Sequence, residues 1–516
     1  MPSSVVVDVL LAINPKKYMG EDNLDPFSIK LSTHIISKQI THIFNLSISS
    51  GIVPKIWKKA HVIPLHKGGD KNNLNNYRPI SKLPCLAKIL ESLINNQLKT
   101  FLTSASILSP FQSGFRAGHS TVSAVTLVAD NIVTALDKKK HCAALFIDLS
   151  KAFDTVDHHL LLQRLHDIGF DQSACSWFRD YLSDRQQSVK LGRYQSEFLT
   201  VTNGVPQGSI LGPVLFTIYI NNIVSSLKNC HAHLYADDTV LYCISDSVHQ
   251  SIENLQSSFN TLQDCLVDLR LVLNTDKTKY MCFSRAKTTH FNVFNLYTKN
   301  GFLIERVTEY KYLGIWLDDK LTFHFHINNL VCRLRQKIGY FYRNKTTFPL
   351  FSRKRIIEAV FMSVLDYGDV VYRHASHSCL KLLDSVFHSA LRFITGDAYD
   401  THHCLLYEKV GWSSLKERRD THWHIFIYKA LTGKLPRYLT EMLHISDGLY
   451  QTRSTDMLML YVPQTRSELG KTAFSFGAPD SWNNLQLKIK LNTFISFGQF
   501  KQTILDLPNS TCNCFN

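Results

Sequence analysis

No apolar run in this 516-residue chain reaches the ~18 residues that a membrane-spanning helix needs. The best candidate, Leu211 to Ile220, is broken by Gly212 and Pro213 and stops at Asn221-Asn222. The short apolar stretch at the N-terminus reads as a poor secretory signal, because Asp8 interrupts it and no basic segment precedes it. There is no repeat of solenoid period and no low-complexity tract, which excludes repeat arrays and disordered linkers. Acidic residues are in deficit, 42 Asp and Glu against 57 Lys and Arg, giving a net charge of +15 and a pI near 9.1. A basic globular chain favours a polyanionic partner, usually nucleic acid. The 12 cysteines lack framework spacing, and Cys85, Cys142, Cys243 and Cys282 sit in apolar segments. Reduced thiols in an intracellular compartment, cytoplasmic or nuclear, are therefore expected rather than disulfides. Zinc spacing is also lacking: His374, His377 and Cys379 with His402, His403 and Cys404 fit no standard pattern, and Cys512 and Cys514 have no matching pair. With 45% hydrophobic residues, the length suits two or three packed units.

What the chain does have is organised around Tyr235-Ala-Asp-Asp238. Apolar runs on either side, Leu234 to Ala236 and Val240 to Cys243, read as two strands joined by a tight turn. That turn holds two adjacent carboxylates, which repel unless a polyvalent cation sits between them. Mg²⁺ takes one or two carboxylates plus substrate phosphates, so a phosphate-handling metal site is one reading and a solvated Asp-Asp turn the other. The run Cys142 to Ile147 is wholly apolar, reads as a buried central strand and ends in Asp148. A carboxylate there is costly unless paired or metal-bound, which makes Asp148 the natural partner of Asp237 and Asp238. Asp154 and Asp157 follow, and Asp154 is equally read as the cap of a helix over 160–168.

Other segments supply cations and shaped loops. Val62, Ile63 and Leu65 form a strand feeding the Gly68-Gly69 turn beside Lys67. Lys67, Arg78 and Arg116 lie next to Gly or Pro turns, where they suit clamping a polyphosphate or a template backbone, although each alone reads as a surface cation. Three glycines and two prolines between Val201 and Pro213 shape a loop that lets backbone approach a ligand. Periodicity predicts helices over 86–102, 121–137, 214–223 and 248–269, an amphipathic helix ended by Gly51, strands over 271–273 and 280–283, and a further strand or turn over 310–316. From about 325 to 440 the chain is helical and basic. There Arg333, Arg335, Lys337 and Arg343 interleave with Tyr340, Phe341 and Tyr342, a mixture that suits a nucleic-acid backbone as well as an ordinary helix face.

Taken in order, Asn76-Tyr-Arg-Pro-Ile-Ser81, Gln112-Ser-Gly-Phe-Arg116, Phe146-Ile-Asp-Leu-Ser-Lys-Ala-Phe-Asp154, Gly204-Val-Pro-Gln-Gly-Ser-Ile-Leu-Gly-Pro213, Tyr235-Ala-Asp-Asp238, Asn274-Thr-Asp-Lys-Thr278 and Tyr312-Leu-Gly314 resemble the reverse transcriptases of LINE-type (non-LTR) retrotransposons. The match is strongest over 46–318, and the tail segment Phe474 to Asn483 also resembles the family. The resemblance implies an α+β right-hand polymerase of fingers, palm and thumb, with an antiparallel palm sheet and a helical C-terminal region. The domains expected are an N-terminal helical extension over 1–45, fingers and palm over 46–318, a basic thumb-like region over 319–440 and a tail over 441–516.

The function implied is RNA-directed DNA polymerisation, the template-directed transfer of dNMP to a primer 3′-hydroxyl by two Mg²⁺ ions, with Mn²⁺ as the alternative ion. The resemblance casts Asp148, Asp237 and Asp238 as the catalytic acids, with the Leu149 carbonyl as a further metal ligand and Lys277 as the acid for pyrophosphate. It casts Lys67, Arg78 and Arg116 as fingers cations, Phe153 as the residue rejecting a ribose 2′-hydroxyl, Gln207 and Gly208 as the loop beside template and incoming base, and Tyr312, Leu313 and Gly314 as the primer grip. RNA template, DNA primer and dNTPs are the partners; no membrane and no obligate protein partner is called for. Fewer than 46 residues precede the polymerase region, so no endonuclease domain is expected, and the start at Met1-Pro-Ser-Ser reads as a truncated copy. The alternative is a nucleic-acid-binding relic that keeps the fold without activity. A host-recruited relative of intron maturases or telomerase fits less well with the tail through Trp482.

Overall fold

The computed structural model describes residues 1–16, 18–227, 229–284, 295–446 and 457–507; Cys512 and Cys514 lie outside them. The apolar stretches flanking Gly68-Gly69 form an antiparallel hairpin, β1 (Lys59–His66) and β2 (Tyr77–Lys82). The all-apolar run predicted as a central strand is β3 (His141–Ile147), buried from Cys142 onward. Downstream, β4 (Arg185–Leu191), β5 (Tyr194–Gln195) and β6 (Leu199–Val201) extend the first hairpin into a sheet of order β2-β1-β4-β5, with β6 on β4. β1 and β4 run parallel, and the other pairs in this sheet are antiparallel.

The second sheet is built around β3. It adds β7 (His231–Tyr235), β8 (Asp238–Ser245), β9 (Lys279–Phe283), β10 (Leu296–Tyr297) and β11 (Leu303–Arg306) in the order β10-β11-β9-β3-β8-β7. Its centre is antiparallel, as expected for a palm; the β11–β9 pair at one side is parallel. Because side chains alternate along a strand, β3 feeds two cores. Ala143, Leu145 and Ile147 face one layer with Leu215, Phe216, Leu255 and Phe259 from the helices Gly212–Ile220 and Val248–Asp268. Cys142, Ala144 and Phe146 face the other, with Val128 and Ile132 of the helix Thr121–Asp137 and Ile327, Leu334 and Phe387 from the helices that follow the sheet. Each such fully buried large side chain contributes about 1.5–3 kcal/mol. Burial on both faces explains why β3 reads as a continuous apolar run rather than an alternating one.

The last strands, β12 (Glu309–Tyr312) and β13 (Ile315–Asp318), form a separate hairpin packed against the Phe146 side of the sheet. Helices His324–Arg343 and His377–Thr395 complete the second core. A third core joins Trp423, Tyr428, Trp482 and Phe500 from the helices Leu415–Leu431, Phe474–Ile489 and Phe497–Leu505. Two buried carboxylates of the helix Thr121–Asp137 bind this C-terminal layer. Asp130 accepts the Ser475 amide at 2.8 Å, and Asp137 accepts the Arg466 amide at 2.9 Å and the Ser467 hydroxyl at 2.6 Å.

Several expectations shift in detail. The 121–137 helix keeps its bounds, and the 86–102 helix runs Cys85–Ser104. The 214–223 helix ends at Ile220 and continues as a 3₁₀ turn. The strand at 271–273 reduces to a single bridge, Leu273 to Leu149. The helix His158–Asp167 is capped by Asp157, which accepts the Leu160 amide at 2.9 Å, and not by Asp154. Two of the cysteines, Cys230 and Cys243, face each other across the β7–β8 pair. The hairpin register pairs His231 with Tyr242, so residues 230 and 243 stand directly opposite, with Cα atoms 4.5 Å apart. Among the described residues no helix is long and apolar enough to cross a membrane.

Candidate active site

β7 and β8 meet through the two-residue loop Ala236-Asp237, with Tyr235 paired to Asp238. Ala236 takes a positive φ of 58°. In a two-residue hairpin that first position usually goes to Gly, so a buried non-Gly residue here marks a turn held by its surroundings. The holder is the segment 111–114. Leu234 donates its amide to the Phe111 carbonyl at 2.9 Å, and Ser113 donates to the Leu234 carbonyl at 2.8 Å, so the run lies alongside β7. Gly114 then passes directly under the turn: a Cβ built on it would stand 2.9 Å from Ala236 Cα and closer still to the Ala236 nitrogen.

Asp148 leaves the end of β3, two strands from β7, and its backbone is clasped by the 274–278 loop. The Asp148 amide donates to Thr278 Oγ1 at 3.3 Å, and the Asn274 amide donates to the Asp148 carbonyl at 2.9 Å. Lys277, whose side chain is 70% exposed, brings Nζ to 3.9 Å from Asp148 Oδ2. Leu149 is buried beside Leu273.

The three carboxylates feel one another. Burial, with the Asp148 charge added, raises the pKa of Asp237, while Arg78 and Lys67 oppose the shift. Desolvation and the charges of Asp237 and Asp148 push Asp238 up to about 6, although its residue reaches solvent. Tyr310, stacked on Phe146 at 4.2 Å, is pushed to about 12 by burial and by Asp238 and Asp148. The acids therefore form a region of concentrated negative charge, which a divalent cation would relieve. Their oxygens are hard donors suited to Mg²⁺ or Mn²⁺. They are spread rather than closed up. Among the described residues, two other groups draw their donor atoms within 4.8 Å, and the three acids are not one of them.

The Gly-Pro loop is fixed against the segment after Asp148. Gly204 and Val205 donate their amides to the carbonyls of Val156 and Phe153, at 2.7 and 2.8 Å, and Gln207 Nε2 donates to Asp154 Oδ1 at 2.8 Å. Gly208, at φ 124°, lies against the Ser81 carbonyl of β2, and Ser81 donates to the Gln207 carbonyl at 2.7 Å. Phe153 is half-buried, stacked on Phe216 at 4.4 Å with Phe115 edge-on. Lys67 and Arg78 sit exposed on the β1–β2 hairpin, near enough for their charge to reach the acids. Arg116 does not join them. Its Nη1 donates to the carbonyls of Ser109 at 2.6 Å and Gln112 at 2.9 Å, tying the loop that carries Gly114.

Tyr312, Leu313 and Gly314 form the β12–β13 turn, with φ of 46° at Leu313 and 87° at Gly314. Tyr367 donates to the Leu313 carbonyl at 2.7 Å and would collide with any Cβ at Gly314. A cavity of about 140 Å³ runs from this turn to Asp238 and Phe146.

The six-residue zinc set divides. The donor atoms of His402, His403 and Cys404 come within 4.8 Å, but His374 packs on Trp423 and Cys379 takes a hydrogen bond from Ser376. Asp366, Asp369 and His422 also cluster, but Arg418 grips Asp366 with two bonds and His422 pairs with Asp369. Sequence reasoning missed Glu91. This buried carboxylate accepts the Ile210 amide at 2.6 Å and the Tyr181 hydroxyl at 2.8 Å, anchoring the Gly-Pro loop. A charged residue inside the apolar face of its helix was the available signal.

A family model for reverse transcriptase (RNA-dependent DNA polymerase) matches residues 66–317, the stretch from the end of β1 to β13. The chain is 30% identical over 402 residues to the RNA-directed DNA polymerase from mobile element jockey of Drosophila melanogaster, covering 76% of this chain and 43% of that protein. It is 28% identical over 428 residues to the probable RNA-directed DNA polymerase from transposon BS of the same organism, covering 81% and 47%. For the probable polymerase from transposon X-element the figures are 27% over 425 residues, 81% and 46%. The chain thus spans less than half the length of these curated relatives. With the family's motifs gathered around one acidic turn, the chain belongs to the reverse transcriptases of LINE-type, non-LTR retrotransposons.

Proposed function

We propose that this chain is an RNA-directed DNA polymerase that adds dNMP from a dNTP to the 3′-hydroxyl of a DNA primer on an RNA template. The observation that carries the reading is the approach of Asp148, from the end of the central strand, to Asp237 and Asp238 on a constrained turn, close enough to raise their pKa values. Two divalent ions, Mg²⁺ or Mn²⁺, would supply the acidified 3′-hydroxyl and hold the triphosphate and leaving pyrophosphate. Asp148 and Asp237 are the residues to hold them, with Asp238 and the Leu149 carbonyl contributing. Lys67 and Arg78 offset the negative charge of the site from the fingers side. Lys277, free to swing from Asp148, delivers a proton to pyrophosphate. Phe153 closes the sugar side, wedged by Phe216 and Phe115. Gln207 and Gly208 border the templating base, and the Tyr312–Gly314 turn holds the primer. Arg116 acts here by fixing the loop rather than by meeting phosphate. Residues 46–318 serve as fingers and palm, 319–440 as thumb and 441–516 as tail; the partners are template RNA, DNA primer and dNTPs, met in the cytoplasm or nucleus.

Primer extension tests the reading directly. Purified chain with an RNA template, DNA primer, dNTPs and Mg²⁺ should extend the primer, and Asp237→Ala should bind the same template–primer without extending it. A well-folded wild type that binds but never extends would favour the inactive relic instead.

A further inference from the structure

A residue some 200 positions beyond the acid turn packs directly behind it. The short helix Arg437–Thr440 brings Tyr438 into the space between β7, the 111–114 run and the start of the helix Thr121–Asp137. The ring is buried, 6% exposed. It meets His233 of β7 edge-on at 5.5 Å, Phe111 in parallel at 6.4 Å and His119 edge-on at 5.9 Å. Its hydroxyl lies 3.1 Å from Ser113 Oγ and 3.4 Å from Ser123 Oγ, and Ser113 Oγ in turn meets His119 Nδ1 at 2.9 Å.

Each partner belongs to a segment that sets the turn. His233 lies two residues before Tyr235, and burial beside His119 holds its imidazole neutral, with a pKa of about 3. Phe111 and Ser113 supply the two backbone bonds to Leu234, and Gly114 follows at once beneath Ala236. Ser123 closes the capping box at the first turn of its helix. The chain just before Tyr438 also presses on this region, since a Cβ at Gly118 would stand 3.3 Å from the Lys434 carbonyl. Dense interiors transmit displacement, so a ring wedged between β7 and the 111–114 run sets their spacing and hence the position of the acids.

We propose that Tyr438 is a positioning residue for the acid turn, so that the geometry of Asp237 and Asp238 depends on the C-terminal layer. The proposal rests on the polymerase reading for its effect on rate, but not for its effect on structure. The test uses the full chain with Tyr438→Phe, which keeps the ring, and Tyr438→Ala, which removes it. Single-turnover primer extension gives the rate constant and the active fraction separately, and amide hydrogen exchange reports on residues 231–238.

The expected result for Tyr438→Ala is a rate constant lower by about 10²-fold at saturating dNTP, as for a displacement of about 1 Å, with template–primer affinity kept. Exchange should quicken at 231–238, and Tyr438→Phe should recover most of the rate. A lower active fraction at an unchanged rate constant would mean a role in folding alone and would overturn the proposal. So would unchanged exchange at 231–238 in folded Tyr438→Ala. If the wild type itself extends no primer, the polymerase reading fails, and the exchange result alone decides for or against the wedge.

Discussion

Gly114→Ala isolates how finely the acid turn must be placed. Gly114 does not use the left-handed region, so alanine brings no backbone strain of its own. The whole effect is one methyl group under Ala236. That carbon would start 2.9 Å from Ala236 Cα, and nearer to the nitrogen, whereas ordinary contact begins at 3.4 Å. Both sides of the contact are backbone, held by the Leu234 hydrogen bonds, so the turn has to rise by about 0.5–1 Å. Misplacement of about 1 Å costs on the order of 10²-fold in rate, equivalent to about 3 kcal/mol of barrier. Overpacking adds about 1–3 kcal/mol of lost stability. The assay is single-turnover primer extension, with thermal unfolding on the same samples. Gly498→Ala, where the added carbon meets nothing, serves as the control and should extend at the wild-type rate. Folded Gly114→Ala extending as fast as Gly498→Ala would refute the claim that this contact sets the acids.

Two further outcomes follow from the electrostatics. Asp238 has a folded pKa raised to about 6, so without metal the native state holds extra protons between about 4 and 6, and stability falls as pH rises through that window. Because the residue reaches solvent, the effect is about 1 kcal/mol after screening; Asp238→Asn should flatten it, which thermal unfolding across pH 4–7 in a metal-free buffer checks. Glu91→Gln keeps the shape but turns an amide group toward the Ile210 N–H or the Tyr181 hydroxyl. Loss of one buried bond should cost about 1–3 kcal/mol in unfolding and raise the KM for dNTP through the loosened Gly-Pro loop. An unchanged KM would disconnect Glu91 from the nucleotide side of the site.

The palm was legible because its signals are local. β3 carries both buried faces in one apolar run, and the acid turn lies between two such runs, so strand, turn and carboxylates could be read together. The helix Thr121–Asp137 announced itself by its spacing, while its Ser120 cap emerges only in the structure. What escaped were contacts between distant segments. Arg116 beside a Gly turn looked like a free cation, but its guanidinium serves two carbonyls seven and four residues back. Asp157, not Asp154, caps its helix, because Asp154 is drawn away by Gln207. The Cys230–Cys243 pair follows from counting outward from the turn, since Tyr235 opposite Asp238 sets every later pairing. Tyr438 left no local trace: its meaning lies in Ser113 and His233, both remote in sequence.

The central claim is that Asp148, Asp237 and Asp238 form the metal site of a nucleotidyl transferase. Counting bound Mn²⁺ by electron paramagnetic resonance, in a complex with RNA template, dideoxy-terminated primer and the next dNTP, tests it without requiring turnover. The account predicts two tightly bound ions in the wild type and fewer in Asp148→Ala and Asp237→Ala, with template–primer still bound. Two ions retained in both variants, or none in a wild type that binds template–primer, would contradict it.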